Sequence, residues 1–376
     1  MNIGINLLFL IPGKVGGTEI FARNIISELS KIDKYNNYYL YLNDENVDLF
    51  KGLPNNFKII HCKFNAIKRF KRVIWEQLVL PFQCYFNKID VLHSLGYTAP
   101  IITHCPKITS IYDLNYHFFP EDFSFANLNV FKILIPLVAF TSKKIIVHSH
   151  KTKRDMVSVF KLPASKIEVE YGGVSPIFYK KYSKKQIFSK IKKYNVNYPF
   201  IFSAATSHPH KNLKTLVSAY KYLIDKYHLK HKLLLLGFSG RGQGELDKLM
   251  NDKSLKDNVI FTGWVDPSDM PYFYKAADVF VFPSQYEGFG LPLVESMAAG
   301  VPLITSKASC IPEIVGNGGL IVNTKDYIEL SKSIQKVIKN KKISNKLIKL
   351  GIERSRTFEW EKLAKFNLDL YEKTAI

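Results

Sequence analysis

The feature that most constrains this chain is an alternation of short apolar runs with longer stretches of helical periodicity, and the alternation starts twice. Ile3–Phe9 reads as a buried strand. Thr18–Lys31 reads as an amphipathic helix with apolar positions at Ile20, Phe21, Ile25, Ile26 and Leu29. Further strand-like runs fall at Tyr38–Leu42, Phe57–Ile60, Val91–His93, Ile108–Tyr112, Lys144–His148 and Ile167–Tyr171. The pattern begins afresh at Phe200–Ser203 and continues through Lys232–Leu236, Val259–Phe261, Val279–Phe282 and Pro302–Thr305. Runs this short, separated by helices, imply βαβ units and parallel sheets. Two doubly wound α/β domains follow, with a seam between Gly173 and Asn197. The length of 376 residues suits two domains of ordinary size.

Composition narrows the partners. Apolar residues make up 47% and charged residues 23%, which excludes long disorder and fibrous repeats. The net charge of +21 implies an anionic partner, whether nucleic acid, membrane surface or phosphorylated substrate, or else simply lysine-rich codon usage. Seven lysines and no acid lie between Lys180 and Lys193, as either a solvated helix face or a patch facing anionic lipid. Lys63, Lys68, Arg69, Lys71 and Arg72 interleave with Phe64, Phe70 and Trp75. That mix suits a membrane-surface segment, and equally a helix whose aromatics pack inward. No zinc spacing, RNP signature or helix-turn-helix points to nucleic acid. Four cysteines without a C-x-x-C fit a reducing cytosol rather than a disulfide framework. The N-terminus lacks the basic region and cleavage site of a signal peptide. The most lipid-like stretch, Ile133–Phe140, is interrupted by Pro136 and is far short of the ~20 residues a bilayer span needs.

The sharpest constellation runs from Pro283 to Gly300. It follows a strand, contains Glu287-Gly288-Phe289-Gly290, and opens a helix near Leu291 with Pro292 in the first turn. Amides at such a helix start can receive a phosphate. Glu287 and Glu295 cannot bind phosphate oxygens, so sugar hydroxyls are their natural partners.

This turn and helix resembles the E-x7-E signature of retaining GT-B glycosyltransferases, most closely glycosyltransferase family 4, with a leaning to mannosyltransferase-like members. Asn258–Val265, Tyr274–Ser284, Gly300–Ile304 and Pro312–Val315 follow in the family's order, and the resemblance covers nearly the whole chain. It implies a GT-B fold, two Rossmann-like domains facing each other across a cleft. Residues 1–175 would form the acceptor-binding domain, 176–355 the nucleotide-sugar domain, and 356–376 a C-terminal helix packing back toward the first.

Site roles carry over residue by residue. Pro209-His210-Lys211-Asn212 resembles the diphosphate-binding loop, with Lys211 neutralising phosphates and His210 standing where many relatives carry Arg; Thr206 lies just upstream. Gly16-Gly17-Thr18-Glu19 resembles the N-terminal glycine loop, and Tyr112-Asp113 falls where relatives carry His-Asp. The resemblance makes Glu287, Lys211, Tyr112 and Asp113 the catalytic candidates. The donor would be held by Gly16, Gly17, Thr206, Val265, Gly288, Phe289, Gly290, Leu291 and Glu295, together with His210, Lys211 and Glu287. Glu287 would hold the donor sugar and Glu295 the ribose hydroxyls. Taken alone, His93 and His148 read as core histidines.

The implied reaction is retaining, metal-independent transfer of a hexose from a GDP- or UDP-linked donor, a co-substrate rather than a cofactor. The acceptor would be a glycan or a polyprenyl-diphosphate-linked glycan in surface polysaccharide assembly. The expected location is the cytoplasm, with peripheral binding to the inner, anionic membrane face and no nucleic-acid partner. The alternative is a non-catalytic sugar-nucleotide or polyanion-binding protein.

Overall fold

The computed structural model describes residues 1–237 and 239–375. The chain divides into two compact units, one of residues 1–114, 125–173 and 359–376, the other of residues 115–124 and 174–358. The segment 115–124, expected with the first domain, thus belongs to the second, and residues 359–376 complete the first.

In the first unit seven strands form one parallel sheet: β1 (Asn2–Asn6), β2 (Asn37–Leu42), β3 (Phe57–His61), β4 (Val91–Ser94), β5 (Lys107–Ser110), β6 (Lys144–Val147) and β7 (Ile167–Val169). Their order is β3-β2-β1-β4-β5-β6-β7. β1 stops at Asn6, earlier than its apolar run implies. Asn6 Oδ1 accepts from Leu8 N (3.1 Å), an Asx turn that ends the strand. The buried amides of Asn43 and Asn46 then take the carbonyls of Leu7, Leu8 and Leu10, so this loop stays inside without a ladder.

His93 on β4 is wholly buried, with Nδ1 on Tyr371 Oη (2.7 Å) and Nε2 on Ser110 Oγ (2.9 Å). Burial depresses its pKa to about 3, so it is a neutral core residue. Tyr371 comes from the C-terminal helix Trp360–Ala375, which packs on the helix Gly17–Ile32. Gly173 permits the close approach of the Trp360 backbone, since a Cβ there would sit 2.3 Å from its nitrogen.

The second unit holds β8 (Phe200–Ala204), β9 (Lys232–Leu236), β10 (Val259–Gly263), β11 (Val279–Phe282), β12 (Leu303–Ser306) and β13 (Leu320–Val322), again parallel. Their order is β10-β9-β8-β11-β12-β13. The two faces of this sheet are chemically distinct. Ile201, Val279 and Val281 point into an aliphatic layer with Leu216, Val217 and Tyr220 of the helix Leu213–Tyr227. Phe200, Phe202, Phe280 and Phe282 alternate with them and stack on the other face, joined there by Phe273 and Tyr274. Strands covered on both faces lose the polar alternation of a half-exposed sheet, which is why they read as continuous apolar runs.

In each unit the strand order reverses beside the first strand, between β1 and β4 and between β8 and β11. At such a switch point the connections leave in opposite directions and open a crevice at the carboxyl ends of the strands. No helix among the described residues is long and apolar enough to cross a membrane.

Candidate functional site

In the second unit, the switch point separates the loop after β8, residues 205–212, from the loop after β11, residues 283–290. Hydrogen bonds stitch the two together. The His210 carbonyl accepts from Gln285 N (2.7 Å) and Ser284 Oγ (3.2 Å), and Asn212 Nδ2 donates to Pro283 O (3.3 Å). Asn212 takes a left-handed conformation (φ 55°) and turns the chain from a single 3-10 turn, Pro209–Lys211, into the next helix.

This stitching brings Lys211 onto Glu287, with Nζ 2.6 Å from Oε1. Both side chains are mostly buried, and the ammonium also stands 5.6 Å from the centre of the Phe282 ring. A cation held at the lip of two strand ends, with a carboxylate as its resting partner, is poised to exchange that partner for phosphate oxygens. The Glu287 carbonyl is fixed from behind by Ser309 Oγ (2.8 Å). Gly290, at φ 88°, caps the helix Leu291–Ala299 with no side-chain acceptor of its own. The first amides of that helix thus have no side-chain cap.

Glu295, one turn into this helix, accepts from Tyr274 Oη (3.0 Å). Burial pushes its carboxyl up to about 7, the Tyr274 bond offsetting only part of the effect. Thr206 is half-buried, whereas Val265, Phe289 and Leu291 are buried; Phe289 packs edge-on against Phe358. Those three positions can offer a ligand backbone groups rather than side chains.

One residue at this site has no motif. Asp122, from the segment 115–124, is nearly inaccessible and holds His210 Nδ1 with one oxygen, the same oxygen accepting from Asn115 Nδ2 (2.8 Å). His208 Nδ1 lies 3.8 Å from its other oxygen. Burial would raise the Asp122 carboxyl, but its bonds to His210 and Asn115 and the nearby imidazoles hold it below the ordinary value. Sequence reasoning missed Asp122 because it stands 88 residues from its partner and carries no local pattern.

The remaining candidates lie in the first unit. Gly16 caps the helix Gly17–Ile32 at φ 60°, ψ −132°, a conformation open essentially only to glycine. Glu19 secures this loop, accepting from Gly13 N (2.7 Å) and pairing with Arg23. Tyr112 follows β5 but turns inward: its hydroxyl donates to Leu95 O (2.8 Å) and its ring lies against Phe21 and His148. A hydroxyl held in this way is not offered to a substrate, so Tyr112 is a core residue here and Asp113 is the group that the strand end presents. Asp113 Oδ2 accepts from Tyr97 Oη (2.9 Å). His148 Nδ1 donates to the Glu170 carbonyl (2.8 Å), and burial lowers its pKa to about 4. Among the described residues, no group of three or more His, Cys, Asp or Glu could hold a metal ion.

Two family models match in tandem. Glycosyltransferase Family 4 covers residues 15–177, and Glycosyl transferases group 1 covers residues 184–354. The chain is GT4-like in both of its halves. Among its relatives, O-antigen chain mannosyltransferase B of Escherichia coli is 26% identical over 233 residues, 62% of this chain and 61% of that one. O-antigen chain mannosyltransferase RfbU of Salmonella typhimurium is 28% identical over 276 residues, 72% of this chain and 71% of that one. The match thus spans about three fifths of the first relative's length. Anabaena HepE, solved with UDP and glucose, superposes with a TM-score of 0.77 at 19% identity over 99% of this chain and all of that one. WaaG, a glycosyltransferase involved in lipopolysaccharide biosynthesis, gives a TM-score of 0.74 at 13% identity over 98% of this chain and 99% of that one. These likenesses agree with the GT-B fold of two Rossmann-like domains.

Proposed function

We propose that this chain is a retaining, metal-independent glycosyltransferase that moves a hexose from a nucleoside-diphosphate sugar to a hydroxyl of a glycan or lipid-linked glycan in bacterial surface polysaccharide assembly. The observation that carries the reading is the Lys211–Glu287 pair, set across the two loops of the second switch point beside the glycine-capped start of the helix Leu291–Ala299. HepE with its UDP, and the mannosyltransferase names of the relatives, support a nucleotide-linked hexose as donor, GDP- or UDP-linked.

In this mechanism Lys211 and the first amides of the helix stabilise the diphosphate as it departs. Glu287, released from Lys211, holds hydroxyls of the transferred sugar and fixes its orientation. Glu295 holds the ribose. The bond from the anomeric carbon to the phosphate oxygen breaks. The acceptor oxygen then bonds to that carbon on the same face, and its proton passes to the leaving phosphate. Asp122 keeps the His210 ring in place beside Lys211. The charge that a metal would otherwise neutralise falls to Lys211 and the helix start. We place the protein in the cytoplasm; Cys62, Cys84 and Cys105, buried free thiols, suit a reducing compartment.

A thermal-shift screen of UDP, GDP, ADP and their hexose conjugates tests the reading, because a ligand that binds only the native state raises the melting temperature. One base class should stabilise the wild type and lose most of that effect in Lys211→Ala. No shift with any nucleotide would overturn the donor assignment.

A further inference from the structure

A cavity of about 620 Å³ opens on the second unit, at the end of the sheet opposite to the loops that carry Lys211 and Glu287. Its wall is made by residues 197–200, which lead into β8, by the helix Lys184–Lys192, and by the end of the helix Met270–Ala276, just before β11. These are the amino ends of the two strands whose carboxyl ends carry Lys211 and Glu287. The five residues of β8 put about 15 Å between the two places. The cavity is therefore no part of the site described above.

Three rings line it: Phe188, Tyr198 and Phe200. Phe200 is buried and belongs to the aromatic layer of the sheet, edge-on to Phe202. Tyr198 is covered by Lys232, whose ammonium stands 4.7 Å from the ring centre. The Tyr198 hydroxyl is enclosed and has no hydrogen-bond partner among the described residues. Such a group costs free energy, and a ligand atom that bonds it removes the cost. Phe188 remains 48% exposed, although the helix that carries it packs on the helix Met270–Ala276.

Among the described residues the lining holds three lysines, Lys184, Lys185 and Lys275, and no acid. Lys275 is half-buried, and its ammonium donates to the Ala299 carbonyl (3.1 Å) rather than to a carboxylate. Burial holds its pKa below the ordinary lysine value, so an anion beside it relieves a cost already present. Of the basic run 180–193, Lys190 and Lys193 pair with Asp269, whereas Lys184 and Lys185 stay exposed at the cavity. The start of their helix is already satisfied: Ser183 Oγ accepts from Gln186 N (3.2 Å), and Gln186 Oε1 accepts from Ser183 N (2.9 Å). An anion here thus meets side-chain ammonium groups rather than free amides. The acid that most closely follows Lys275 in the chain, Asp278, lies 3.4 Å from His231.

We propose that this cavity is a second ligand site, which takes a small aromatic anion: a planar ring against Phe188, Tyr198 and Phe200, with its carboxylate or phosphate on Lys184, Lys185 and Lys275. The volume suits one such molecule. An anion without a ring leaves the aromatic wall in water. An aliphatic anion covers the wall without the ring-to-ring geometry that aromatic pairs favour. A neutral ring leaves the lysines uncompensated. The inference does not depend on the donor or the transfer reaction, and its test uses no substrate.

The test is calorimetric titration of the full chain with naphthoate, naphthyl phosphate, naphthalenemethanol, decanoate and inorganic phosphate. Wild type should bind at least one of the two aromatic anions, with the alcohol, decanoate and inorganic phosphate each weaker by about tenfold or more. Saturating UDP or GDP should leave that binding unchanged, which separates this cavity from the site at the other end of the strands. Lys184→Ser/Lys185→Ser should lose about tenfold for the aromatic anion and little for the alcohol. Phe188→Ser should lose about tenfold for every ring-bearing ligand. The substituted side chains are exposed, so melting temperatures should hold. Four results would each overturn the proposal. They are no binding of either aromatic anion at millimolar concentration, decanoate or inorganic phosphate binding as tightly, displacement by the nucleotide, and variants that bind like wild type.

Discussion

Glu295→Gln should make the protein more stable and a poorer binder of nucleotide. The carboxyl sits against fully buried Tyr274, and burial raises it from an ordinary 4.5 to about 7. For an acid with a raised folded pKa, the native state binds more protons than the unfolded chain between those two values. Stability therefore falls as pH rises through that window and stays lowered above it. The difference corresponds to about 3 kcal/mol of destabilisation once the group is ionised. Glutamine keeps the shape, still accepts from the Tyr274 hydroxyl, and carries no charge. Urea denaturation across the pH range should show the variant gaining up to about 3 kcal/mol over wild type near pH 8, with the gain vanishing near pH 4. In parallel, affinity for the nucleoside diphosphate should drop, a cost of function held as local instability. A gain independent of pH, or a variant less stable than wild type near pH 8, would refute the reasoning.

Other substitutions probe the same loops. Lys211→Ala and Glu287→Gln should each remove about 2–4 kcal/mol of transition-state stabilisation, read as kcat/KM, with circular dichroism unchanged. Asp122→Asn should weaken binding of inorganic pyrophosphate several-fold, because the ring of His210 loses the carboxylate that holds it; calorimetric titration checks this. Gly290→Ala places a side chain at φ 88°, with its Cβ 2.7 Å from Leu293 Cδ1, and should cost about 1–3 kcal/mol in chemical denaturation.

The sheets were legible because strands buried on both faces leave unbroken apolar runs such as Val279-Phe280-Val281-Phe282. β13 escaped notice, since three residues behind the glycines Gly316, Gly318 and Gly319 are too short to stand out. The end of β1 was overrun because apolarity alone cannot reveal that the Asn6 side chain closes a turn. Lys211 and Glu287 could be found from the ordered motifs around them. Asp122 could not, as its role is created by folding that brings distant segments together.

The most direct test of the account measures release of nucleoside diphosphate from UDP- and GDP-linked hexoses by wild type and Glu287→Gln, with chelator present and a lipid-linked glycan acceptor supplied. The account predicts acceptor-dependent release from one donor class that survives the chelator, yields a product with the donor's anomeric configuration, and nearly disappears in the variant. Donor binding without release under any combination, or equal rates for the two proteins, would contradict it.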